Sequence, residues 1–143
     1  MPYEYLEDAS IADIAFRAWG ADLEATFVAA ALATLNVMVE DLSTVRPAVH
    51  RTVEIERDSL DMLLFAFLNE IVYVKDAECL LLCAESVRLD LAAGECRLTA
   101  QASGETLDPQ RHALRVDVKA VTLHGFSLQQ NPRGWEARVT LDV

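Results

Sequence analysis

Residues 104–125 read GETLDPQRHALRVDVKAVTLHG. The stretch opens on a Gly-Glu turn, breaks at Asp108-Pro109 and carries a small polar cluster, Arg111 and His112. It then alternates as a strand that ends near His124, with Lys119 in its middle. Such a passage is a polar loop feeding a strand, with one lysine set on a rigid element. Nothing in it is a nucleophile elbow, a phosphate loop or a zinc knuckle. In the strand, expected over 115–122, Val116, Val118, Ala120 and Thr122 share one face, and Arg115, Asp117, Lys119 and Val121 the other.

The strand pattern continues on both sides. Residues 79–84, CLLLCA, form a continuous apolar run, as a central strand buried on both faces would. Val87, Leu89 and Leu91 then alternate against Arg88 and Asp90, a turn forms around Gly94, and 96–102 returns as a hairpin partner. Asn131-Pro132-Arg133-Gly134 is a turn signal. It leads into a last strand, 135–143, with Trp135, Ala137, Val139 and Leu141 facing inward.

The first half reads differently. Residues 3–7 fit an edge strand, and 11–19 alternate as a strand that carries Ala12, Ile14, Phe16 and Ala18 on one face. Asp13 lies near its start, on the side away from the core. After Gly20, Asp22 can cap a helix running to about Val39 with Leu23, Phe27, Ala30, Ala31, Leu35 and Met38 at helical spacing. Pro47 breaks the chain and 49–55 reads as a strand. Asp58 and Ser59 are cap candidates for a second helix, whose stripe is Leu60, Leu63, Leu64, Phe67, Leu68, Ile71 and Val72. Two helices early and several strands late predict an α+β two-layer sandwich: one mixed, mostly antiparallel sheet with both helices packed on one face.

Length and composition bound the function. The 143 residues suit one domain, 1–143, with a real core. A hydrophobic content of 52% beside 24% charged residues excludes a disordered chain. No apolar run approaches the roughly 20 residues of a membrane helix, and the acidic start lacks the form of a signal peptide, so a soluble, cytoplasmic protein is expected. A net charge of -11 argues against direct, tight nucleic-acid binding and fits a hard cation, a basic protein partner or simply a solvated surface. Three cysteines without paired spacing read as reduced, buried thiols.

Enzymatic motifs are missing. His50, His112 and His124 lie far apart and read as surface or hydrogen-bonded histidines. The acidic groups at the two ends are more informative. Asp13 sits near the start of one strand, Asp142 at the end of another, and the Val143 α-carboxylate follows it. Should those strands be neighbours, oxygen ligands converge, and oxygen-only clusters suit Mg²⁺, Ca²⁺ or Mn²⁺. The plain alternative is a frayed, solvated terminus.

The segments YEYLEDASIADIAFRAWG, LLFAFLNEIVY, GETLDPQRHALRVDVKAVTLHGF and WEARVTLDV together span most of the chain. In this combination the chain resembles the archease family, small proteins that assist the RtcB-type tRNA ligase. The most specific likenesses are VKAVTLHG and the WxAxVxxD terminus. The resemblance implies an accessory protein that is not itself an enzyme. It would help a GTP- and metal-dependent ligase become guanylylated and turn over repeatedly in tRNA splicing and RNA repair. It also implies a divalent cation (Ca²⁺, Mg²⁺ or Mn²⁺) at Asp13, Asp142 and Val143, with Lys119 as a contact to phosphate or partner. Many members carry a histidine where this chain has Ser10. Two other classes remain open: a metal-dependent phosphatase or nuclease using the same carboxylates, and a general chaperone or adaptor for RNA-modifying enzymes. Exposed sheet edges would allow a homodimer.

Overall fold

The computed structural model describes residues 1–7, 11–92 and 94–143. Among these, the chain runs β1 (Tyr3–Leu6), β2 (Asp13–Gly20), α1 (Leu23–Met38), a single 3-10 turn (Leu42–Thr44), β3 (Val49–Arg57), α2 (Leu60–Glu78), β4 (Leu80–Asp90), β5 (Cys96–Thr106), β6 (Ala120–Asn131) and β7 (Gly134–Asp142). The class is α+β, as expected. The expected single mixed sheet is instead two antiparallel sheets, ordered β1-β2-β7-β6 and β3-β5-β4. Both helices touch strands of both sheets.

The two-sheet arrangement explains α1. Ala29, Ala30, Ala31 and Ala33 are each buried, as are Phe27 and Leu35. A helix covered nearly all round must be apolar nearly all round, and its alanines permit close approach on every side. Asp22 caps it, its carboxylate accepting from the Ala25 N–H at 2.7 Å. Phe27 stacks with Phe67 of α2, ring centroids 6.4 Å apart, which ties the two helices at the centre of the core. Ser59 stands at the N-cap of α2 but makes no side-chain cap bond.

Three local expectations change. Gly104 is not in a turn. It lies inside β5, paired with Val49 on one side and Leu82 on the other. A Cβ there would fall 1.7 Å from the Leu81 carbonyl oxygen, so this close approach requires glycine. The run at 80–84 is buried as expected, but β4 is a sheet edge by hydrogen bonding rather than a central strand. Its edge is partly covered, since the Glu24 carboxylate of α1 accepts from the Leu89 N–H at 2.8 Å. The cysteines are free, but Cys79 is exposed and the other two only partly buried.

The strand expected over 115–122 starts at Ala120 and continues to Asn131. The residues before it serve α1 instead. The N–H groups of Arg115 and Val116 donate to the carbonyls of Met38 and Val37, and the Glu40 N–H to Ala113. The last carbonyls of a helix have no partner within it, and a passing extended segment supplies one. The alternation breaks where the segment joins the sheet: Val118 and Val121 are both buried.

Candidate functional site

β2 and β7 pair antiparallel along their whole lengths, and the register sets Asp13 opposite Asp142. The next rung outward is closed by the Val143 N–H, which donates to the Ala12 carbonyl at 2.9 Å. Ladder rungs alternate, so the Asp13–Asp142 rung takes the non-hydrogen-bonded position, where opposed side chains stand closest. Both carboxylates project from the same face of the sheet, while Ile14 and Leu141 beside them face the core. The apolar members of each strand thus dictate which face the aspartates occupy.

The third strand completes the arrangement. Ala120 of β6 pairs with Asp142 on its other side, and the Lys119 N–H donates to the Asp142 carbonyl at 2.8 Å. Asp13, Lys119 and the adjacent pair Asp142 and Val143, from three separate parts of the sequence, therefore meet at one end of the four-stranded sheet. The Lys119 side chain is exposed and forms no ion pair among the described residues. The Val143 side chain packs against the core, and its backbone is held in the ladder.

The side chains that the register brings together here are the two aspartates, Asp13 and Asp142. These are hard oxygen ligands, which fit Mg²⁺, Ca²⁺ or Mn²⁺ and not a thiolate- or imidazole-seeking ion. Like charges directly opposed across strands repel, and a cation between them would relieve that repulsion. Among the described residues, no group of three or more His, Cys, Asp or Glu side chains gathers at this or any other place. Ser10, where the resemblance misses a histidine, lies outside the described residues.

Lys75, which the sequence reading passed over, fastens the segment leading to Lys119. It projects from the last turn of α2, is only 7% exposed, and donates to the Val118 carbonyl at 2.7 Å. It also pairs with Asp76 at 2.7 Å and with Asp117. Burial pulls its pKa down, but the hydrogen bonds to Asp117 and Asp76 outweigh this and leave it above the ordinary lysine value. The signal was present in the sequence: Lys75 follows Leu64, Leu68 and Ile71 on the buried stripe of α2. Asn69, nearly two turns earlier, accepts from the Val121 N–H at 3.3 Å, so α2 holds both sides of the junction into β6.

The polar cluster at Arg111 and His112 fastens a loop. His112 is buried, its Nδ1 accepts from the Asp108 N–H at 2.9 Å, and its Nε2 lies 3.3 Å from Glu105. Glu105 also accepts from the Arg111 guanidinium and the Arg46 N–H, which hold its carboxyl at about 2, well below the usual range. His50 and His124 are exposed and stand apart from the acidic rung in sequence and strand position.

Fold and site together define a class: an α+β protein whose two chain ends pair in one sheet and present opposed carboxylates there. The sequence pattern of the Archease protein family matches residues 3–143, and the chain belongs to that family. It is 38% identical to the protein archease of Thermococcus gammatolerans over 133 residues, 92% of this chain and 93% of that one. It is 35% identical to the archease of Methanosarcina mazei over 144 residues, 99% and 95% of the two chains. Among solved structures it is similar to protein 1598 of Methanobacterium thermoautotrophicum, with a TM-score of 0.85, 36% identity and 99% of both chains covered. An archease of Thermotoga maritima, described as a possible chaperone, shares the fold at a TM-score of 0.54 and 12% identity, over 98% of this chain and 99% of that one. No helix among the described residues is long and apolar enough to cross a membrane.

Proposed function

We infer that this chain is a non-catalytic accessory protein that activates an RtcB-type RNA ligase, promoting its GTP-dependent guanylylation and multiple turnover in the cytoplasm. One observation carries the reading: Asp13 and Asp142 share a rung at the sheet end where Val143 and Lys119 are also held. In this reading Asp13, Asp142 and Val143 hold a divalent cation, which when bound supplies a fixed positive charge on an otherwise acidic surface. Lys119 then acts as a point charge toward a phosphate or an acidic group of the partner. A role in partnership with another protein also agrees with the description of the Thermotoga maritima relative as a possible chaperone.

The test is multiple-turnover RNA ligation by the cognate ligase with GTP and Mn²⁺, with and without this protein. Wild type should stimulate, and Asp142→Ala should not. Wild type without effect on an active ligase would sink the reading. Phosphatase or nuclease turnover by the protein alone would replace it with the hydrolase.

A further inference from the structure

A cleft of about 280 Å³ opens beside the acidic rung. Asp13 and Ile14 of β2, Tyr5 of β1, Val37 near the end of α1, and Arg115 with Val116 line it. Its making follows from the loop that caps α1. Because Arg115 and Val116 donate their N–H groups to the Met38 and Val37 carbonyls, the segment runs past the helix end instead of joining the sheet. A gap is left between this segment and β1, and it is this gap that forms the cleft.

Two walls of the cleft differ in chemistry. Ile14, Val37 and Val116 make an apolar wall, with Val116 39% exposed. Arg115 makes the polar one. Its guanidinium lies 5.8 Å from the Tyr5 ring centroid and donates to the Asn36 carbonyl at 3.4 Å. That bond is long and leaves most of the five guanidinium donors unused. Arg115 has no carboxylate partner among the described residues, although the chain carries a net charge of -11. Tyr5 keeps its neighbour in place: its hydroxyl donates to the Ala33 carbonyl at 2.7 Å. The arginine therefore lies over a fixed ring, on the same cleft as a candidate cation ligand.

We propose that this cleft is the anion-binding half of the site and takes a phosphate-bearing ligand, held between the cation at Asp13 and the Arg115 guanidinium. The inference rests on the cation reading above, because Asp13 and Glu7, which also line the cleft, would repel an anion in the absence of a positive ion. A planar fork of donors suits phosphate oxygens in a way that a lysine does not. The apolar wall offers a surface for the organic part of the ligand.

The experiment titrates pyrophosphate by calorimetry into wild type and Arg115→Ala in the presence of Mg²⁺, after Mg²⁺ alone has been titrated into each. Both proteins should bind Mg²⁺ alike, and the variant should bind pyrophosphate roughly tenfold more weakly or worse, the loss expected for a charge-assisted contact. Equal pyrophosphate affinity in the two proteins, or none in wild type that binds Mg²⁺, overturns the subsite and leaves the cation reading standing. Failure of wild type to bind any of Mg²⁺, Ca²⁺ and Mn²⁺ overturns both. A nucleoside monophosphate and an oligonucleotide with a terminal phosphate, titrated next, distinguish a free nucleotide from a nucleic-acid end; Arg115 dependence with either supports the subsite.

Discussion

Asp13 and Asp142 face one another across the β2–β7 ladder on a rung where opposed side chains approach most closely. Directly opposed like charges cost about 0.2–1 kcal/mol relative to a neutral pair. In chelator, Asp142→Asn should therefore raise stability by about that amount. In Mg²⁺ or Ca²⁺ the order reverses, because only wild type gains from ligand binding to the native state. Thermal unfolding of both proteins in each buffer reads this out. An equal cation-induced shift in wild type and variant would remove the rung from the cation site.

Lys75 fastens the segment before β6 from beneath, and Lys75→Met tests how much that matters. The swap keeps length and apolar stem but leaves the Val118 carbonyl without its donor. Asp117 is 70% exposed and returns to water at little cost. The expected loss is therefore that of one unsatisfied buried acceptor, about 1–3 kcal/mol, and not the larger penalty of a stranded buried charge. Urea unfolding measures it. A neutral result would mean that the segment is held by its bonds to α1 alone.

Gly104 and Gly94 make a contrasting pair. At Gly104 a methyl would meet the Leu81 backbone at 1.7 Å, and backbone in a ladder cannot step aside. Gly104→Ala should cost about 3 kcal/mol or more, at the upper end of overpacking effects. At Gly94 nothing lies within 4 Å and the cost is only that of a left-handed backbone at φ +84°, about 1–2 kcal/mol. Denaturation midpoints of the two variants should rank in that order, and the reverse order would contradict the packing of β4 on β5.

Glu105 predicts a pH dependence. Its carboxyl lies at about 2 in the folded protein against an ordinary value of 4.5, first because of Arg111 and then the Arg46 N–H. A depressed folded-state value means stabilisation that is full above the ordinary value and lost as pH falls through the lower one. Wild type should thus lose stability between pH 4.5 and 2. Glu105→Gln should be less stable than wild type at neutral pH and should lose less over that acid range. Parallel curves for the two proteins would show that Glu105 contributes no proton linkage.

Much of this architecture was legible in local patterns. The stripe of α2, the inward set Ala137, Val139 and Leu141 of β7, and the Asp22 cap of α1 all stand where spacing and residue type put them. Asp13, Asp142 and Val143 could be named because strands were readable at both chain ends, Lys119 stood out in the middle of its expected strand, and the family resemblance implied a role for each. Lys75 was missed although it lies on the helix stripe, because a lysine there reads as the end of the apolar face. Gly104 was misread because a glycine beside a glutamate has the same local signature in a turn as in a strand that another backbone crosses closely.

Periodicity is a property of one segment's own backbone, so the sequence by itself determined which residues of each helix and strand turn toward a core. Which strands share a ladder depends on edges far apart in the chain meeting in space, and that was decided only by the tertiary structure. Packing set two sheets where one was expected, with α1 apolar nearly all round and in contact with both. It drew residues 115 and 116 away from the sheet, where their N–H groups satisfy carbonyls at the end of α1. The same packing fixed the register that makes Asp13 and Asp142 neighbours, since a slip of one residue would turn Phe16 and Val139 out of the core.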